Sequence, residues 1–201
     1  MKRLFNNTLD FSRLYSMVAL KRGLLLLMFL FSVPTFAQDC VTKFMGIPVD
    51  GTKEEMVSAL QKKGFKKVDS DMLVGEFNGQ ESTVVIATNK GKVYCVAAAY
   101  LGLDDIVVVR TFNNIFNMLK NNSRYSYIDG EQISDGEDVE YKINVRNQLY
   151  EAYFNQIGSC SDEVSSPNRL VRVFVSRAGY RRFSVSIGYY NMNNYPSGED
   201  L

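Results

Sequence analysis

The chain has 201 residues, with 23 Lys and Arg against 22 Asp and Glu, three Cys, and neither His nor Trp. The absence of His excludes Ser-His-Asp and Cys-His catalysis and any imidazole-ligated zinc or iron site. For an enzyme, only carboxylate, Lys, Tyr, Ser or lone-thiol chemistry remains.

Lys21 and Arg22 precede an apolar run from Leu24 to Val33, then Pro34 and Thr35-Phe36-Ala37, with small residues at the two positions a leader peptidase reads. This pattern predicts a secretory signal peptide over residues 1–37, removed to leave Gln38 first, and a periplasmic or secreted destination. A membrane helix needs about 17 to 25 apolar residues, more than this run supplies. A bacterial lipidation signal at Cys40 needs Leu or a similar residue three places earlier and a small residue directly before it, where Ala37 and Asp39 stand. The stretch ahead of Lys21 is long for a leader, which makes Met17 an alternative start. Cleavage removes Lys2, Arg3, Arg13, Lys21 and Arg22 together with Asp10, leaving 18 basic and 21 acidic residues, formally −3. That balance predicts neither nucleic-acid binding nor a polybasic membrane surface. The remainder, residues 38–201, is long enough to bury about 70% of its unfolded surface and reads as one domain.

All three cysteines, Cys40, Cys95 and Cys160, lie beyond the cleavage point and so in an oxidising compartment. An odd number permits one internal bridge and leaves one thiol. Cys95 lies in Val93-Tyr94-Cys95-Val96-Ala97, a buried-strand pattern in which a free thiol is ordinary core material. Cys40 and Cys160 are therefore the candidate disulfide. No arrangement that would lower a thiol pKa accompanies any of the three.

Thr52 and Glu55 form an S/T-x-x-E capping box, which predicts a helix from Lys53 to Lys63 with Met56 and Leu60 on its apolar face and Gly64 as its C-terminal cap. Strands are predicted at 72–77, 82–88 and 92–101, separated by Asn78-Gly79 and Asn89-Lys90-Gly91. Asn-Gly suits a two-residue hairpin because both central positions need positive φ. The third of these strands is apolar on both faces and should be central. Asp104 and Asp105 then open a predicted helix over 105–120, with Ile106, Val109, Phe112, Phe116 and Leu119 along one stripe. Residues 121–140 read as loop or short irregular strands. Alternation predicts three more strands at 147–157, 170–177 and 181–191. The expected fold is α+β: an antiparallel sheet of about six strands in two helix-plus-three-strand halves, 44–101 and 104–191, with both helices packed on one face.

Gly46-Ile47-Pro48 through Gly64-Phe65, a turn followed by a Thr-capped helix and a meander, resembles the opening of envelope domains of the β-lactamase-inhibitor-protein type and of small outer-membrane assembly lipoproteins. The chain departs from that pattern in lacking both a lipidation signal and enough cysteines for a bridge in each half. The ending, Tyr189-Tyr190-Asn191 to Asn194 and then Gly198-Glu199-Asp200-Leu201, is similar to that of uncharacterised secreted proteins of gut-dwelling Gram-negative bacteria. The resemblance implies a compartment and no mechanism.

The acidic stretch Asp129, Glu131, Asp135, Glu137, Asp138 and Glu140 suggests calcium, but Ile133 falls on a ligand position whether the loop starts at Asp129 or takes Gly136 as its sixth residue. A solvated acidic loop fits it better. Glu76 and Glu151 are carboxylates within strands, a placement that a solvent face also explains. No Gly-rich phosphate loop and no nucleophile elbow is present, so neither a metal nor a cofactor is expected. The candidate binding residues are Arg172, Arg177, Arg181 and Arg182, whose guanidinium groups suit carboxylates, with Tyr180 and Tyr190 on the same hairpin. The leading expectation is a non-catalytic envelope or extracellular protein that binds another protein. Binding of a small ligand or glycan between sheet and helices is the alternative, and an enzyme comes third.

Overall fold

A computed structural model describes residues 41–158 and 167–196. The candidate signal peptide and both members of the candidate disulfide, Cys40 and Cys160, lie outside the described residues. The described chain begins with two short strands, β1 (Lys43–Phe44) and β2 (Ile47–Pro48), closed by Met45 and Gly46 at φ 50° and 83°. Two positive φ angles match the right-handed twist of a two-residue hairpin. Helix α1 (Lys53–Lys62) starts as the capping box requires. The Thr52 hydroxyl accepts from the Glu55 amide at 3.3 Å, the Glu55 carboxylate accepts from the Thr52 amide at 2.9 Å, and Met56 and Leu60 are buried.

The chain then lays down β3 (Lys66–Lys67), β4 (Met72–Phe77), β5 (Gln80–Asn89) and β6 (Lys92–Leu103) as one antiparallel meander. Helix α2 (Asp105–Lys120) follows, with the Asp104 carboxylate accepting from the amides of Ile106 and Val107. A second meander comes next: β7 (Tyr125–Gly130), the short helix α3 (Val139–Arg146), β8 (Glu151–Gln156), β9 (Leu170–Gly179) and β10 (Arg182–Tyr190). All eight strands from β3 to β10 form one antiparallel sheet in the order β3-β4-β5-β6-β10-β9-β8-β7.

The fold is thus α+β, but the sheet has eight strands rather than six, and each meander has four. β3 offers two exposed lysines and no apolar signal, and a register shift between Tyr127 and Asp129 breaks the alternation of β7. The α2 stripe is also rotated from its expected position. Val108, Phe112, Ile115, Phe116 and Leu119 are buried, whereas Ile106 is 71% exposed.

The two meanders meet at β6 and β10, where Ala98 faces Ile187, and their pairings are equivalent about that point. Val84 of β5 lies against Ala98 as Val173 of β9 lies against Ile187. Val96-Ala98-Tyr100 and Val185-Ile187-Tyr189 present matching buried triplets to the helices. One continuous hydrophobic cluster joins these residues to Met56 and Leu60 of α1 and to Phe112 and Phe116 of α2. Phe44 stacks on Phe77 at 5.0 Å and meets Tyr189 edge-on at 5.3 Å, while Phe116, Tyr127 and Phe154 form a second aromatic triad. Tyr189 is therefore core.

The segment after β10 is tied down by amides. The buried Asn191 side chain donates to the Val49 carbonyl at 2.9 Å, and that of Asn194 donates to Val93 O and Asp50. Among the described residues, no helix is long and apolar enough to cross a membrane.

Candidate functional site

Because side chains alternate along a strand, burying the triplets above turns their neighbours onto the opposite face, which is helix-free among the described residues. The pairings place these neighbours in rows. One row runs Met72, Val85, Ala97, Gly188, Arg172 and Tyr153 across six strands, and the next runs Val74, Thr83, Ala99, Ser186, Phe174 and Glu151. Side chains are shortest along the central strands β6 and β10 and longer to either side.

Arg172 organises the β8–β9 side of this face. Its Nε and Nη2 donate to one oxygen of Glu151 at 3.0 and 2.5 Å, and its guanidinium lies 4.7 Å from the Phe174 ring centre and 5.9 Å from that of Tyr153. Stacking and a charge-assisted bond together fix the orientation of the guanidinium. Burial lowers the Arg172 pKa, but the bond and charge of Glu151, with smaller contributions from Tyr153 and Tyr190, outweigh it and the net shift is upward. Burial also raises the Tyr153 hydroxyl, reinforced by its bond to Glu151.

Tyr190 leans back along β10 over Gly188, where an added Cβ would come within 2.6 Å of its ring. Its hydroxyl bonds to the Cys95 thiol and to Arg172, and burial raises it above the usual phenol value. Cys95 is buried and free of any disulfide, as its strand pattern predicts. Burial pushes its thiol up to about 12, against the opposing effects of Tyr190 and Arg172. A thiol held so high is protonated at physiological pH and is a poor nucleophile.

Of the residues singled out from sequence, Arg172 and Tyr190 are therefore brought together on the helix-free face. The other four lie at the end of the β9–β10 hairpin. Arg181, in the left-handed region at φ 48°, pairs with Asp105 at 2.9 Å, Arg177 donates to the Gly179 carbonyl at 3.2 Å, and Tyr180 is 82% exposed. Arg182 reaches the Gly102 carbonyl at 3.4 Å. Sequence reasoning left Glu151 out of the site and missed Tyr153 and Phe174. Glu151 faces Phe174 across the strands and is only diagonal to Arg172, so the contact exists only once the β8–β9 register is known.

Two carboxylates of the acidic stretch make contacts within the protein. Asp138 caps α3 through the Tyr141 amide, Glu137 accepts from the Tyr150 hydroxyl, and among the described residues no group of Cys, Asp and Glu is arranged to hold a metal ion. Comparison with protein-family models, curated proteins and solved structures finds no match to the chain.

Proposed function

We propose that the protein is a non-catalytic module of the cell envelope or of the secreted fraction that binds another protein through the helix-free face of its sheet. The observation that carries this reading is what the face displays. The solvated side of an antiparallel sheet is ordinarily polar, yet this one exposes Met72, Val85 and Leu101 and half-exposes Val74 and Phe174 beside a ring-stacked Arg172. Aromatic residues, Met and Arg are the side chains enriched in interface cores and hot spots. The basic β9–β10 turn next to the face suits a folded partner whose apolar patch is flanked by carboxylates. The envelope setting rests on the signal-peptide reading of residues 1–37 and agrees with the resemblance of the capped opening helix to envelope domains.

The test is cross-linking to native cell envelopes with the protein as bait, followed by titration of the captured partner. A saturable partner is expected, and Arg172→Ala combined with Tyr190→Ala should weaken it by at least tenfold, a hot-spot-sized loss. Arg181→Ala, at the turn, should have the smaller effect. Binding that both changes leave intact would remove this face from consideration, and self-association of the purified protein through it would reassign it to a homodimer.

A further inference from the structure

A cavity of about 400 Å³ lies on the helix-covered side, between the β1–β2 hairpin, the last turn of α2 and the adjoining ends of β4, β8 and β10. That volume is within the range of small-molecule sites, about 300 to 1,000 Å³. Its lining is of mixed chemistry. Phe77, Met118 and Leu119 contribute hydrocarbon, and Arg124, Tyr125 and Tyr189 contribute hydrogen-bond donors.

The Tyr189 hydroxyl, deep in the core, is hydrogen-bonded to that of Tyr125, and burial first, then the neighbouring Tyr125, raises it well above the ordinary phenol value. It therefore stays a neutral O–H group at any physiological pH. Arg124, another lining residue, acts in the opposite direction on Tyr189 through its positive charge. Lys43 and Arg169 line the cavity as well, each with further contacts of its own. No carboxylate is found among the described lining residues. A lining that combines phenolic and guanidinium donors with hydrocarbon and holds no carboxylate favours a ligand with a negative head and an apolar body.

We infer that this cavity binds a small amphiphilic carboxylate, with its carboxylate at Arg124 and Tyr125 and its apolar body against Phe77, Met118 and Leu119. The inference is independent of the protein-binding reading, because none of these residues lies on the helix-free face. Arg124 is exposed, so replacing it leaves the core intact.

Calorimetric titration of the full protein at pH 7 with benzoate, 2-naphthoate and decanoate, and with neutral 2-naphthol as the control, tests it. At least one carboxylate should bind saturably at one per chain, and 2-naphthoate should bind more tightly than 2-naphthol. Arg124→Gln should weaken carboxylate binding by about tenfold, the size of one charge-assisted hydrogen bond, and leave 2-naphthol unaffected. Met118→Glu, a second variant at a half-exposed position, should weaken carboxylates further by repulsion. Absence of saturable binding by all three carboxylates, equal affinity for 2-naphthoate and 2-naphthol, or full retention in a folded Arg124→Gln protein would each overturn the inference.

Discussion

Two glycines within strands show how the same local crowding has different consequences on the two faces of the sheet. A Cβ at Gly75 would lie 2.6 Å from the Phe65 ring, and Phe65 is buried and packed against Phe44. Neither ring has open space to move into, so Gly75→Ala should cost about 1 to 3 kcal/mol, the usual penalty for overpacking a core. A Cβ at Gly188 would meet the Tyr190 ring at the same 2.6 Å, but Tyr190 lies on the helix-free face and can swing outward. Gly188→Ala should therefore cost less than about 1 kcal/mol. Urea unfolding of the two variants measures the difference, and equal losses would contradict the assignment of the two faces. The displaced Tyr190 would also leave Cys95 and Arg172, so partner binding should suffer more than stability at position 188.

Among the elements, those whose apolar residues keep a strict period were legible in the sequence. The capped helix α1, strands β4 and β6 and the span of α2 are where alternation, capping and turn residues place them. The elements that escaped detection, or, like β7, were read only as loop or short irregular strands, lack such a signal. β3 is a pair of exposed lysines, β7 carries a register shift, and α3 buries Val139 alone. The site was half legible for the same reason: composition marks Arg172 and Tyr190, but their partners depend on cross-strand register that no local pattern encodes.

The segment around α3 is anchored by a titratable contact. The Tyr150 hydroxyl donates to Glu137 at 2.8 Å, with Lys142 at 3.3 Å, and the Tyr150 bond is the main cause of a lowered Glu137 pKa, partly opposed by burial. A carboxylate whose pKa is lower in the folded than in the unfolded state adds stability above its ordinary value of 4.5 and loses it as the pH falls through the folded value. Tyr150→Phe should accordingly cost about 1 kcal/mol at pH 7, with the gap to the parent protein narrowing below pH 4.5. A gap of constant size from pH 7 to pH 3 would show that packing of the Tyr150 ring, not the charged hydrogen bond, is responsible.

For the whole molecule, the decisive feature is that the two meanders share one joint. If each half were a unit that merely docked on the other, β5 and β9 would open independently and at different free energies. The buried cluster argues otherwise, because α2 packs on β6 and on β8 to β10 alike, and Tyr189 of the second meander meets Phe77 of the first, and Phe44 of β1, edge-on. Loss of either half strips the other of apolar cover, so unfolding should be a single cooperative transition. Ile187 is fully buried at the joint opposite Ala98, a residue too small to fill the space a truncation would leave. Ile187→Ala should cost about 2 to 4 kcal/mol, and native-state hydrogen exchange should show that loss equally in the amides of β5 and β9. A loss confined to β9 would mean that the halves unfold separately. The outcome bears on function as well, because the joint sets Val85 and Arg172 at a fixed spacing on opposite sides of Ala97 and Gly188. A partner that spans the face can bind only while both halves are folded, so binding and global stability should fall together in the Ile187 variant.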